Sequence, residues 1–360
     1  MTPERIAAIR HLLGGWEADA IVLTNPANRR WATGFTSYAT DSFSTDIVLI
    51  SQNDVIILAS GNNTAWAGGE SPVATEIIAQ SGLWPTAVVK IIDDHGWKSV
   101  AIEGDSVPYS LGQAVADGFS GTINFVSGVR DQVRVVKDPA EQANARQAAL
   151  CTDQVFTEIA ASGIVGKSEA EVARTITARL IEVSGGLGFD VIVASGPNAA
   201  RPHHAPGDRV IQEREPIIID MGARVNGYCG DLTRTLWFGP YDDRFESVYK
   251  AVLQSQIATK DALVAGRPAQ EAALASEAAL QDAGYGEYIL HSVGHGVGLN
   301  IHEAPWIRKG NETLLEAGSV VTVEPGLYFP DWGGVRVEDV VILADGPCET
   351  ITTAAKLMTV

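Results

Sequence analysis

Asp220, Asp231, His295, Glu324 and Glu338 each stand in a strand-like or glycine-rich stretch, where a charged side chain is unexpected unless something binds it. Burying such a group unpaired is costly. Four carboxylates and one imidazole from distant segments make a poor ion-pair network. They make a good cage for two divalent cations, with oxygen-rich donors and one nitrogen suited to Mn²⁺, Co²⁺, Fe²⁺ or Zn²⁺ rather than to a thiolate-rich structural zinc. Any fold of this chain has to bring those segments together, and the set points to a metal-dependent hydrolase.

The two aspartates carry a local argument. Ile217–Gly222 and Gly230–Thr235 read as strands joined through Val225-Asn226-Gly227, a good turn sequence. A turn centred on Val225–Asn226 places Asp220 and Asp231 directly opposite, with Cβ atoms about 4.5–5.5 Å apart; a turn at Asn226-Gly227 makes them diagonal, at about 7–8 Å on one face. Either way two like charges share a sheet surface, and a dication removes the conflict. The plain alternative is a solvent-facing hairpin with two surface aspartates.

Glu324 ends the apolar run Val320–Val323 and precedes Pro325-Gly326. Glu338 lies among β-branched residues, and strand alternation sets Arg336 on its face, so a simple Arg336–Glu338 salt bridge is the competing explanation. The stretch from His291 to His302 holds three of the chain's seven histidines among several glycines, which permit close backbone approach.

Composition narrows the partners. Asp plus Glu number 44 against 26 Lys plus Arg, a formal charge of −18, which disfavours nucleic acid as a ligand. The longest apolar runs suit core strands and are far too short for a bilayer. The first residues lack the basic start and apolar block of a secretory signal. Cys151, Cys229 and Cys348 are odd in number and widely spaced, which implies no disulfide framework and favours a reducing cytoplasm.

The 360 residues divide near Gly128–Asp138. Before that point strands (Ala20–Thr24, Asp46–Ile50, Val55–Ala59, Ser99–Glu103) alternate with helices (Ile6–Leu13, capped by Thr2, and Trp84–His95), an α/β module. After it come a long Ala-rich helix over Ala140–Ser162 and a second helix opened by the capping-box pair Ser168 and Glu171. Strands follow over Asp190–Ala194, Pro216–Ala223 and Asp231–Phe238, then helices over Asp243–Val264 and Pro268–Ala283 and a strand-rich end. The long hairpins favour an antiparallel α+β arrangement over a doubly wound sheet.

The strings IIIDMGARVNGYCGDLTRT, HSVGHGVGLNIHEAP, VEPGLYFP and GVRVEDVVIL, in that order, resemble the pita-bread metallopeptidases, most closely the Xaa-Pro dipeptidases (prolidases) and aminopeptidase P. The stretch from Asn25 to Phe35 is similar to part of a creatinase-type N-terminal domain. The resemblance implies two domains: a smaller α/β creatinase-type domain over 1–130 and a pita-bread catalytic domain over 138–360, an α+β and α/β combination. It implies that Asp220 chelates one of two divalent ions (Mn²⁺ or Co²⁺ first, Zn²⁺ or Fe²⁺ next). Asp231 and Glu338 then bridge both ions, while His295 and Glu324 hold the other.

His203, with His204 as the alternative one register step away, is implied as the histidine that stabilises the transition state. His291 and His302 are placed in the substrate pocket with Arg336 nearby. The activity implied is hydrolysis of the Xaa-Pro bond of dipeptides or short peptides by a metal-bridging hydroxide, with Glu324 moving the proton and His203 or His302 assisting. Proline preference rests on the resemblance alone. So does a homodimer in which a partner's loop caps the site; Phe35–Phe43, with Tyr38 and Asp41, is the candidate for that loop, and an ordinary polar connector is the plain alternative. Aminopeptidase P acting on longer peptides and a non-catalytic pita-bread-fold binding protein are the rival readings. Creatinase-like amidinohydrolases do not keep this carboxylate set, and methionine aminopeptidases usually lack the preceding domain.

Overall fold

A computed structural model describes residues 3–36 and 46–356. The expected cap Thr2 and the loop residues Tyr38 and Asp41 lie outside the described residues. The chain forms two compact units, divided between Val133 and Arg134.

The first unit is a mixed sheet of β1 (Ala20–Leu23), β2 (Ile47–Ser51), β3 (Val55–Ala59), β4 (Glu76–Ala79), β5 (Ser99–Glu103) and β6 (Thr122–Val126), in the order β4-β3-β2-β1-β5-β6. Its helices are α1 (Pro3–Gly15), α2 (Pro26–Thr33), α3 (Thr64–Glu70), α4 (Trp84–Asp94), α5 (Tyr109–Gly118) and α6 (Val129–Val133). β1, β2 and β3 are buried at every position, so their apolar runs cover both faces of the sheet. The β2–β3 hairpin through Gln52-Asn53-Asp54 forms as expected. Sequence reasoning missed α2, α3, α5 and the two edge strands β4 and β6. Helix α2 carries a clear start signal, since Asn25 accepts from the amides of Ala27 and Asn28 and Pro26 opens the first turn.

The second unit opens with α7 (Pro139–Ala161) and α8 (Glu169–Ser184). Both begin with complete capping boxes, Asp138 with Glu141 and Ser168 with Glu171. Then come β7 (Ile192–Ser195), β8 (Ile217–Met221), β9 (Arg224–Val225), β10 (Tyr228–Cys229) and β11 (Leu232–Leu236), followed by α9 (Asp243–Ala262) and α10 (Ala269–Asp282). The chain ends in β12 (Gly294–Gly296), β13 (Glu303–Ile307), β14 (Val320–Val323), β15 (Gly326–Phe329), β16 (Gly333–Arg336), β17 (Asp339–Ile342) and β18 (Glu349–Thr350).

Pairing in this unit is antiparallel throughout its named strands, in sheets ordered β11-β8-β7 and β13-β12-β14-β17-β18 with the separate hairpins β9–β10 and β15–β16. α7 and α8 cover the first of these sheets with Val155, Phe156, Ile176 and Leu180 against Ile217, Ile219 and Leu232. Among the described residues no helix is long and apolar enough to cross a membrane.

Candidate metal centre

The hairpin that carries the aspartates turns at Asn226 and Gly227, with φ of 49° and 87°. Two successive positive φ values suit a two-residue turn whose twist matches the strands, and Asn-Gly is the pair that adopts them most readily. Val225 therefore pairs with Tyr228 and Asp220 with Thr233, so Asp231, one residue before β11, is diagonal to Asp220 rather than opposite it. This is the second of the two registers the sequence allowed. Asp220 ends the buried run Ile217–Ile219, and both aspartates are buried.

His295 is the centre of β12, a strand squeezed between β13 and β14. A Cβ on Gly294 would stand 2.2 Å from the Thr322 carbonyl oxygen, and one on Gly296 would stand 2.1 Å from that of Ala304. Glycine on both sides of His295 is thus a packing requirement. The ring Nδ1 faces the Gly296 carbonyl oxygen at 3.0 Å. Its Nε2 lies 3.3 Å from Glu324 Oε1 and 3.8 Å from Asp231 Oδ2. Glu324 follows β14 directly, and the buried Glu338 sits between β16 and β17, accepting from the Thr233 hydroxyl at 2.7 Å.

Arg336 does not make the salt bridge to Glu338 weighed as its competing explanation. Its Nη2 donates to Asp220 Oδ2 at 2.8 Å, its Nε to Thr233 Oγ1 at 3.0 Å and its Nη1 to the Tyr328 hydroxyl at 2.8 Å. Thr233 and Arg336 lie on strands that run alongside each other, and the guanidinium reaches across them toward β8 instead of along its own strand. The Tyr328 hydroxyl also meets His291 Nε2 at 2.7 Å.

One buried cation among four carboxylates leaves the site electrostatically unsatisfied. Burial, then the charges of Glu338, Asp220 and Glu324, holds the Asp231 carboxyl well above the ordinary range. Glu338 is raised in the same way by burial, Glu324 and Asp220. Glu324 is raised chiefly by burial. Desolvation lowers His295 and His291, and it brings His302 down to about 4 with help from His295 and His203.

Two observations test whether a divalent ion fits. Asp231, His295 and Glu338 each offer a ligand atom, all within 4.8 Å of one another. Asp220 Oδ1 is buried without a hydrogen-bond partner, a cost a cation at that atom would remove. The residues present fit the group. Cys229 is not part of the donor set: burial pushes its thiol up to about 11.

All nine residues singled out in the sequence (Asp220, Asp231, His295, Glu324, Glu338, His203, His291, His302 and Arg336) line one cavity of about 210 Å³. His203 faces it, whereas His204 turns away, its Nε2 2.8 Å from the carboxylate of Glu169. The His302 ring lies against His295 with centroids 4.4 Å apart and is nearly parallel to Trp306, with centroids 6.5 Å apart. The apolar walls, Phe189, Ile192, Ile301 and Trp306, escaped sequence reasoning, because an apolar residue in a pocket looks like one in a core. Thr233 and Tyr328, both inside strings already singled out, were missed as well; nothing in their spacing shows which groups they bond.

A sequence model of metallopeptidase family M24 matches residues 143–345, and one of the Creatinase/Prolidase N-terminal domain matches residues 5–136. The chain is 35% identical over 262 residues to an Xaa-Pro dipeptidase of Pyrococcus furiosus, covering 71% of this chain and 74% of that one. Among solved structures it is similar to an Xaa-Pro dipeptidase from Bacillus anthracis, with a TM-score of 0.94, 33% identity and 99% of each chain covered. An X-Pro aminopeptidase from Thermotoga maritima gives a TM-score of 0.86 at 30% identity, over 97% of this chain and all (100%) of that one.

Proposed function

This chain belongs to metallopeptidase family M24, with a Creatinase/Prolidase N-terminal domain, and from that premise we propose that it is a dinuclear metal-dependent peptidase cleaving the Xaa-Pro bond of dipeptides or short peptides. The observation that carries the reading is the cavity in which Asp220, Asp231, His295, Glu324 and Glu338 converge, with one Asp220 oxygen left without a partner. Those five side chains would hold two divalent ions, Mn²⁺ or Co²⁺ first and Zn²⁺ or Fe²⁺ next. When bound, such ions supply Lewis acidity and bring the pKa of a water to about 7.

The remaining work falls to the chain's own groups. Glu324, whose carboxyl burial holds above its ordinary value, is suited to take up a proton and pass it to the leaving proline nitrogen. His302, neutral at pH 7, offers one N–H to charge developing on the scissile carbonyl oxygen, and His203 on the cavity wall offers another. His291, fixed by Tyr328, and Arg336 line the same cavity, and we assign to them the side that receives the proline ring. The substrate bond is a tertiary amide, so that side need supply no acceptor for an N–H. A homodimer and a cytoplasmic setting complete the reading; three free thiols support the latter, and sedimentation tests the former.

The relatives' names include both a dipeptidase and an aminopeptidase, so the deciding experiment is a peptide panel run with defined metals. Xaa-Pro, Xaa-Pro-Yaa-Zaa and Xaa-Ala are compared, alongside Asp231→Ala and Glu338→Ala. Cleavage of Xaa-Pro above Xaa-Ala, lost in both variants together with bound metal, is the expected result. Equal turnover of Xaa-Ala would overturn the proline preference. Activity and metal retained in either variant would overturn the site.

A further inference from the structure

One buried carboxylate outside the cavity is unexplained by the reaction. Glu169, the first residue of α8, is fully buried, yet among the described residues no lysine or arginine bonds it. Its Oε1 accepts from the Ser195 amide at 2.8 Å, the Ser195 hydroxyl at 2.7 Å and Asn198 Nδ2 at 3.0 Å. Its Oε2 accepts from His204 Nε2 at 2.8 Å, Asn198 Nδ2 at 3.1 Å and the Gly207 amide at 3.3 Å. Every donor belongs to residues 195–207, the segment that carries His203. An ionised carboxylate is acceptor-only at both oxygens, and six donor contacts use that capacity fully. Burial alone would raise its pKa, but the donors from Asn198, Ser195 and His204 outweigh it and keep the group ionised.

The same segment is held from the cavity side, where the Pro202 carbonyl oxygen accepts from Arg336 Nη1 at 3.4 Å. His204 is thus drawn outward to Glu169 while its neighbour His203 is left facing the cavity. We infer that Glu169 is a positioning residue: by gathering Ser195, Asn198, His204 and Gly207 onto one carboxylate, it fixes the loop that aims His203 at the substrate. The inference rests on the role given above to His203. It adds a residue to the working site that contacts neither substrate nor metal.

A double-mutant cycle separates positioning from simple folding support. Glu169→Gln keeps the size but puts an NH₂ group against donors, so one end of the cluster must open. On an Ala-Pro substrate with Mn²⁺, Glu169→Gln is expected to lower kcat by roughly ten- to a hundredfold with KM little changed, since a small misplacement of a reacting group costs about that much. In the His203→Ala background the same change should have no further effect. His204→Ala removes a single donor and serves if Glu169→Gln does not fold; it should lower kcat less, be silent without His203, and be rescued by His204→Gln, which restores an N–H.

Amide exchange at Ser195 and Gly207, read on the whole chain without substrate, should accelerate in Glu169→Gln. A kcat loss of equal size with and without His203, or unchanged exchange at both amides, overturns the inference while leaving the peptidase reading intact. His203→Ala with full activity overturns the role of His203 and, with it, any need to position it.

Discussion

Replacing Asp231 by Asn in protein stripped of metal should make the fold more stable, although the residue is buried. Asp231 accepts no hydrogen bond from any described residue, and its nearest basic group is His295 Nε2 at 3.8 Å. Its ligand atom and that of Glu338 lie within 4.8 Å. Two full charges at that separation repel by about 3.5 kcal/mol at an effective dielectric of about 20. One carboxyl can hold a proton and so avoid most of that repulsion; we expect about 1–3 kcal/mol, or roughly 2–12 °C in Tm for a unit of this size.

The pH dependence has a definite sign. A folded-state pKa raised above its unfolded value means stability present below the ordinary carboxylate pKa of about 4 and lost as pH rises through the raised value. The advantage of Asp231→Asn should therefore vanish near pH 4 and open steadily toward pH 8. Thermal melts in chelator across that range measure it. Saturating Mn²⁺ should reverse the order: a ligand at a hundred times its Kd stabilises the parent by about 2.7 kcal/mol and the variant far less. An Asn variant less stable than the parent at pH 8 without metal, or a gap that ignores pH, would refute the view that these carboxylates are arranged for a cation and not for the fold.

Other substitutions probe the groups around that cluster. Arg336→Met leaves Asp220 buried without its partner and should cost about 3–5 kcal/mol in urea unfolding without metal, with much of the loss recovered on adding Mn²⁺. Thr233→Val removes the hydroxyl that donates to Glu338 and accepts from Arg336; a loss of about 1–3 kcal/mol and weaker metal binding by calorimetry are expected. Gly296→Ala forces a methyl into the Ala304 carbonyl and should abolish metal binding even where circular dichroism shows a folded chain. Glu303, beside His302, is bonded by the buried Arg134 and Lys137. Burial would raise its pKa, but Lys137 and Arg134 hold it below the usual range, so its stabilisation is present above about pH 4 and lost as pH falls through the lower value. Glu303→Gln should flatten that acid limb of the stability profile.

What could be read from the residues follows a physical division. The five candidate ligands were legible because a carboxylate at the end of a run such as Ile217–Ile219 or Val320–Val323 violates the ordinary rule for core strands, and the violation is local. The capping box at Ser168 was legible for the same reason, its chemistry being complete within four residues, whereas the one at Asp138 was passed over and the Asn226-Gly227 turn was one of two registers left open. The edge strands β4 and β6 were not, since both are half-exposed and carry neither a strict alternation nor a continuous apolar run. Partners were least legible of all. Arg336 lies two residues from Glu338 on a shared strand face, so a salt bridge between them stood as the plain alternative to a pocket role; the guanidinium instead bonds Asp220, which lies on a separate hairpin. The same limit applies to His203 and His204, identical in type and adjacent in sequence. The carboxylate of Glu169, on a helix that precedes them and whose capping box gives no hint of this bond, holds the one that is turned away from the cavity.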